Sequence, residues 1–290
     1  MLIKPHQLFA DALHADFAIG AFNSSNMELT QAIVAGAEKM KSPVIVQTSE
    51  GAIEYAGLKT LSGIIKAIAA QAKVPVVMHL DHGKKFEVVQ ACIEAGYGSV
   101  MIDASTLPLP ENIALVKKVV EYAHGRGVWV EAELGAIVGK EGIKELQGKG
   151  TPDDFLTKPE EVKEFVEATG VDALAVSVGT IHGAFTGQEY IRFELLEHIK
   201  DIMPELPLVL HGASGLADEH LQKACTMHVC KVNVDTELRQ AFERAVQAYF
   251  ETTHDSVDPR KILGPAKEAV QAVVEQKIGL FGSQNMAKVY

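Results

Sequence analysis

Three histidines stand at or just past the ends of apolar, β-rich runs: His82 in VVMHLDHG, His182 in LAVSVGTIHG and His211 in LVLHGASG. Neutral imidazole is the commonest metal ligand in proteins. Three protein ligands with a fourth position left open make a catalytic zinc site. Asp81 immediately precedes the first of the three, so a proton acceptor would sit beside any metal they hold. A lone histidine at a strand end is more often a hydrogen-bonded structural residue than a ligand. Three of them beside carboxylates reverse that weighting.

Such a site needs strand ends that converge. Eight β-rich runs recur along the chain: 17–22, 42–49, 74–82, 99–105, 128–135, 173–180, 206–214 and 229–236. Their near-continuous Val, Ile and Leu content marks strands buried on both faces of a parallel sheet. The stretches between them, such as MELTQAIVAGAEKM and LPENIALVKKVVEYAHGRG, place apolar residues at helical spacing. Eight β–α units in 290 residues predict a (β/α)8 TIM barrel formed by residues 1–290 as a single domain, with C-terminal helices from about 237. A doubly wound open sheet is the second choice. Its dinucleotide-binding form is disfavoured, because no GxGxxG follows the first strand.

Two segments break the rhythm. GAIVGKEGIKELQGKGTPDDFLTKPEE, between the fifth and sixth runs, is Gly-rich, charged and long, as expected of a mobile active-site lid. After the eighth run, ELRQAFERAVQAYFETT and DPRKILGPAKEAVQAVVEQKIGLFGS read as helices that pack on the barrel or on a partner subunit.

Bulk properties narrow the function. A net charge of −11 argues against nucleic acid as the main partner, since phosphate backbones select excess Lys and Arg. No apolar run approaches the ~20 residues needed to span a bilayer, so no membrane association is expected. MLIKPHQLFADALHADF lacks the apolar stretch of a secretory leader. Cys92, Cys225 and Cys230 include no CxxC pair and suit a reducing compartment. Cytoplasmic location is expected, with Cys225 and Cys230 as inert buried thiols.

In barrels of this type the active site lies at the C-terminal face. The strand ends supply Asn23, Gln47 with Ser49, Asp81 with His82, Asp103 with Ser105, Glu131 and Glu133, then His182, His211 with Ser214, and Asn233, Asp235 and Thr236. Glu131 and Glu133 share one face, and Glu133, nearer the mouth, is the better candidate. His79, two residues before Asp81, should point into the barrel as a packed, hydrogen-bonded side chain. His14, His124, His220, His228 and His254 fall in helical or loop stretches and are expected to be solvated. Gly183, Gly212, Ser214 and Gly215, followed by Asn233 to Thr236, offer backbone N–H groups and hydroxyls suited to cradling a phosphate.

HLDHG, DAS, EAELG, GTIHG, LHGASG and KVNVDT occur in the order and spacing of the class II, zinc-dependent ketose-bisphosphate aldolases, and the resemblance extends over essentially the whole chain. It implies a lyase of carbohydrate metabolism, in glycolysis if the substrate is fructose 1,6-bisphosphate. The products would be dihydroxyacetone phosphate and an aldehyde such as glyceraldehyde 3-phosphate. It implies catalytic Zn2+ on His82, His182 and His211, and Asp81 as the acid/base on the C4 oxygen. Asp103 and Glu133 correspond to a secondary site for a divalent ion, and a monovalent cation, Na+ or K+, is implied near the phosphate. Gly183, Gly212, Ser214, Asn233 and Thr236 would hold dihydroxyacetone phosphate, with Asn23 and Ser49 also lining the substrate site. Glu141 corresponds to the base that removes a proton from the hydroxymethyl carbon. A homodimer or homotetramer is the family habit.

Substrate choice rests on Asn233-Val234-Asp235-Thr236-Glu237-Leu238-Arg239. The resemblance makes Asp235 and Arg239 favour fructose 1,6-bisphosphate, with Arg239 gripping the C6 phosphate. Phe185-Thr186 stand where many members have Tyr-Lys, which leaves tagatose 1,6-bisphosphate or a 6-substituted, for example sulfonated, ketose 1-phosphate open. Other readings are a Schiff-base aldolase, a zinc hydrolase and a non-catalytic partner subunit. Schiff-base chemistry needs a lysine at the mouth, and Lys231, the one strand lysine, precedes Asn233. A zinc hydrolase would favour a His-x-His in the first strand, which is missing, and a non-catalytic subunit should have lost ligands.

Overall fold

The computed structural model describes residues 1–139, 155–182, 191–253 and 257–288, with the backbone alone at 138–139 and 181–182. The described strands are β1 (Ile19–Asn23), β2 (Val44–Ser49), β3 (Val76–Gly83), β4 (Ser99–Ile102), β5 (Trp129–Leu134), β6 (Val138–Gly139), β7 (Ala173–Val176), β8 (Ile181–His182), β9 (Leu208–Leu210) and β10 (Val229–Val234). Eight of them close a parallel barrel in the order β1-β2-β3-β4-β5-β7-β9-β10, with β10 returning to β1. The (β/α)8 barrel expected from the apolar runs is therefore present, and each barrel strand falls on one of those runs, β1 and β3 reaching one residue past theirs.

The helices are α1 (His6–His14), α2 (Met27–Met40), α3 (Glu50–Ala56), α4 (Leu58–Gln71), α5 (Phe86–Glu94), α6 (Leu109–His124), α7 (Pro159–Thr169), α8 (Phe193–Ile202), α9 (Asp218–Cys225), α10 (Thr236–Thr252) and α11 (Pro259–Leu280). Local chemistry sets their limits. The Asn26 carboxamide accepts from Leu29 N at 2.8 Å to start α2, satisfying a donor the helix itself cannot. Asp258 does the same for α11 through Arg260 N, and a proline occupies the first helical position. The C-terminal helices α10 and α11 begin where the periodicity predicts. Lys277 Nζ donates to Glu237 Oε2 at 2.8 Å between them, and Lys39 on α2 reaches Glu275 on α11 at 2.7 Å.

Period-two alternation divides the strand side chains between two cores. Val44, Val46, Val76, Met78, Val100 and Val130 face the helices. Ile19, Ile45, Val77, Met101, Trp129 and Val209 fill the lower barrel interior together with Leu8, Phe9 and Leu13. Helix α1 thus plugs the N-terminal end, Phe9 stacking on Trp129 with centroids 4.9 Å apart. The next inward layer is polar, and above it lies the mouth.

Some expectations need correction. His220 and His228 are half-buried rather than solvated. His220 packs edge-on to Phe193 at 5.6 Å, and His228 adopts a positive φ of 63°. His14 is exposed, His124 is 41% exposed and bonded to Asp172, and His254 lies outside the described residues. Cys225 and Cys230 are buried, and burial pushes both thiols up to about 12. No helix among the described residues is long and apolar enough to cross a membrane.

Candidate metal and substrate site

Strand β3 carries the decisive irregularity. Adjacent residues of a regular strand face opposite sides, so Asp81 and His82 should not both reach the mouth. The β3–β4 register slips between Leu80 and Gly83, and His82 has φ 47°. A bulge of this kind re-aims side chains near functional sites. It lets both residues converge on His211, and a left-handed non-glycine residue held there is characteristic of functional positions. Gly83 completes the turn: a Cβ there would lie 2.8 Å from the Met101 carbonyl and from Leu80 Cδ2. The HLDHG pattern is a backbone device as well as a set of ligands.

Ligand-capable atoms of Asp81, His82 and His211 lie within 4.8 Å of one another, and a second group, His82, Asp103 and Glu133, shares His82 with the first. His82 Nδ1 bonds Asp103 Oδ2 at 3.0 Å, and His211 Nε2 bonds Glu131 Oε1 at 3.0 Å. Each carboxylate accepts, so these partners assign the proton of each ring to its outer nitrogen. The inner nitrogens, His82 Nε2 and His211 Nδ1, then face each other at 2.9 Å, placed to share either a proton or a metal ion. Carboxylates that orient metal-binding imidazoles are the usual outer shell of a zinc site. His182 ends β8, where its backbone pairs with Gly139 of β6, and its backbone alone is described.

The charges favour a cation there too. Burial works against a charged His82, but Asp81, the bond to Asp103 and Glu133 outweigh it and raise the ring to about 10. Burial, reinforced by Asp103, pushes Glu133 up to about 8. Burial likewise opposes ionised Asp103, but its bond to His82 prevails and holds it well below the usual carboxylate range. A nitrogen pair ringed by carboxylates fits a borderline-soft divalent ion such as zinc.

Asp81, 1% exposed, is held from both sides. Asn23 Nδ2 donates to Oδ2 at 2.8 Å, and Asn233 Nδ2 donates to Oδ1 at 3.0 Å. Gln47 Nε2 in turn fixes Asn23 through its Oδ1 at 2.6 Å. Burial would favour the neutral acid, but His82, His211, Lys231 and the Asn23 bond keep Asp81 below its ordinary range. It is an oriented, ionised acceptor beside the nitrogen pair.

The remaining expected residues divide. Asn233 packs against His211, its Nδ2 lying 3.1 Å from Nδ1, while its Oδ1 is buried with no hydrogen-bond partner among the described residues. Gly212 turns out of β9 at φ 64°, and Ser214 is half-buried just beyond it. Ser49 is paired in register with Asp81, yet its hydroxyl accepts from Ala52 N at 3.3 Å and caps α3. Thr236 opens α10. Arg239 Nε donates to Asp235 Oδ1 at 2.7 Å, leaving the arginine 61% exposed. Glu141 and Gly183 lie outside the described residues.

One contributor escaped the sequence reading. Glu131, passed over for Glu133, is the residue that touches His211. The available signal was the glutamate's inward face two residues below Glu133, but nothing local to β5 reveals its partners on β9 and β10.

Fold and site together describe a parallel barrel whose strand ends bring together side chains that could hold a metal ion. The chain matches the family described as fructose-bisphosphate aldolase class-II over residues 3–286. It is 43% identical over 289 residues to the fructose-bisphosphate aldolase of Geobacillus stearothermophilus, covering 99% of each chain. It is 42% identical over 310 residues to that of Thermus caldophilus, covering 99% of this chain and 100% of the relative. Among solved structures it resembles the YdjI aldolase of Escherichia coli K12, with a TM-score of 0.88, 34% identity, and coverage of 99% and 100%. The chain belongs to the class II fructose-bisphosphate aldolase family, and its activity is that of an aldolase, a lyase that breaks a carbon–carbon bond.

Proposed function

We propose that this enzyme reversibly cleaves fructose 1,6-bisphosphate into dihydroxyacetone phosphate and glyceraldehyde 3-phosphate, with Zn2+ held by His82, His182 and His211. The observation that carries the reading is the convergence of Asp81, His82 and His211 at a strained bulge, in a chain of the aldolase family. When bound, zinc supplies Lewis-acid polarisation of the ketone that the cleavage requires. Asp81, aligned by Asn23 and Asn233, takes the C4 hydroxyl proton as the C3–C4 bond breaks, and returns it in condensation. Glu141 is assigned the proton on the hydroxymethyl carbon, on the strength of the family pattern. Gly183, Gly212, Ser214, Asn233 and Thr236 are assigned the shared phosphate, and Arg239 the far one. Asp103 and Glu133 are assigned to a second divalent ion.

The test is a cleavage panel of fructose 1,6-bisphosphate, tagatose 1,6-bisphosphate and ketose 1-phosphates bearing a sulfonate at C6. The highest kcat/KM should fall on fructose 1,6-bisphosphate. A larger value for either alternative would reassign the substrate, and no cleavage of any would overturn the reading.

A further inference from the structure

Directly beneath the nitrogen pair the barrel interior holds a buried ionic relay that the aldolase reaction itself does not use. Glu131 Oε1 accepts from His211 Nε2 at 3.0 Å, and Glu131 Oε2 accepts from Lys231 Nζ at 2.8 Å. Lys231 Nζ also lies 3.4 Å from His79 Nε2, and His79 Nδ1 bonds Ser99 Oγ at 2.8 Å. Glu131, Lys231 and His79 are each no more than 1% exposed. The members come from β3, β4, β5 and β10 and from His211 just past β9, so the relay spans most of the barrel's circumference.

A buried ion pair is weak evidence for stability, because well-packed apolar side chains often do as well. Its directionality suggests another purpose. Glu131 divides its two oxygens between a cation and an imidazole: Lys231 neutralises it, and the second oxygen stays available as a fixed acceptor. That acceptor keeps the His211 proton on Nε2 and turns the Nδ1 lone pair toward His82. Asp103 performs the same service for His82 from just past β4, its side chain 5% exposed. The two ligands are thus oriented from different sides, one by a rim carboxylate and one by a charge-balanced pair inside the barrel.

We propose that Glu131 and Lys231 form a positioning pair that sets the affinity of the site for its divalent metal through His211. The inference rests on the metal-dependent reading above. Outer-shell partners of this kind typically account for about 10–100-fold in metal affinity.

The test uses metal-stripped full-length protein and Zn2+ in competition with a chromophoric chelator. Glu131→Gln should raise the Kd for Zn2+ about 10–100-fold and shift the visible bands of the Co2+-substituted protein. Because Glu131→Gln strands a buried lysine, the double variant Glu131→Gln/Lys231→Met is tested beside it. It removes both charges, so its metal-free Tm should stay near wild type while the Zn2+ affinity remains weakened. A folded double variant with wild-type Zn2+ affinity and unchanged Co2+ bands would overturn the pairing. A wild-type protein that binds no divalent metal would instead overturn the metal-dependent reading, so the two failures are distinguishable.

Discussion

Replacing Asp81 with alanine separates chemistry from binding more cleanly than any other single change. The carboxylate accepts from Asn23 and Asn233 at 2.8 and 3.0 Å and is 1% exposed. A positioned proton acceptor typically contributes 10²–10⁴-fold, or about 2.7–5.4 kcal/mol at about 1.36 kcal/mol per tenfold. Asp81→Ala should therefore lower kcat for cleavage by at least about a hundredfold. Two buried amides lose their acceptor, at about 1–3 kcal/mol for each group left unsatisfied, so the variant should also unfold at lower urea. His82 and His211 keep their own carboxylates, so bound metal should stay at the wild-type stoichiometry and KM should change little. The assay is steady-state cleavage with metal content and urea unfolding measured on the same preparation. A kcat within tenfold of wild type at full metal occupancy would refute the assignment of the proton transfer to Asp81.

Two further outcomes follow from the same geometry. Gly83→Ala pushes a methyl into the Met101 carbonyl across β3 and β4; overpacking of this kind costs about 1–3 kcal/mol. Urea unfolding should show that loss together with weaker metal binding, whereas wild-type stability and affinity would mean the bulge tolerates repacking. The metal-free protein should lose stability as pH rises. His82 is raised from 6.5 to about 10, so its contribution is complete below 6.5 and disappears as pH climbs through 10. Glu133, raised from 4.5 to about 8, acts in the same direction between those values. With each pKa unit worth about 1.4 kcal/mol, urea midpoints in chelator should fall clearly between pH 6.5 and 10. Midpoints that stay level or rise would contradict the charge balance described for the site.

The barrel was legible because its strands are buried on both faces and write themselves as Val/Ile/Leu runs. The candidate ligands were legible because polar residues at the ends of such runs stand out. What could not be read locally was everything set by remote pairing. The bulge at His82 depends on the register of β3 against β4, and plain alternation would have turned His82 away from Asp81. Glu131 reads only as the lesser of two inward glutamates and Lys231 as a lysine too deep for Schiff-base chemistry, because their pairing depends on β5 and β10 being brought together. His79 was legible as a packed, bonded histidine, since its position two residues below Asp81 fixes its face. His228 was not, because its surroundings are built by distant chain segments. The plug formed by α1 is likewise invisible in sequence, where HQLFADALH reads as any short amphipathic helix.

If a divalent metal on the histidine cluster drives the cleavage, its removal and return must switch the activity off and on. Protein stripped with a strong chelator should lose cleavage of fructose 1,6-bisphosphate and recover it with one equivalent of Zn2+ per chain. His211→Ala should recover none. Full activity in demonstrably metal-free protein, accompanied by borohydride trapping of substrate on a lysine, would show Schiff-base chemistry in place of metal-dependent cleavage.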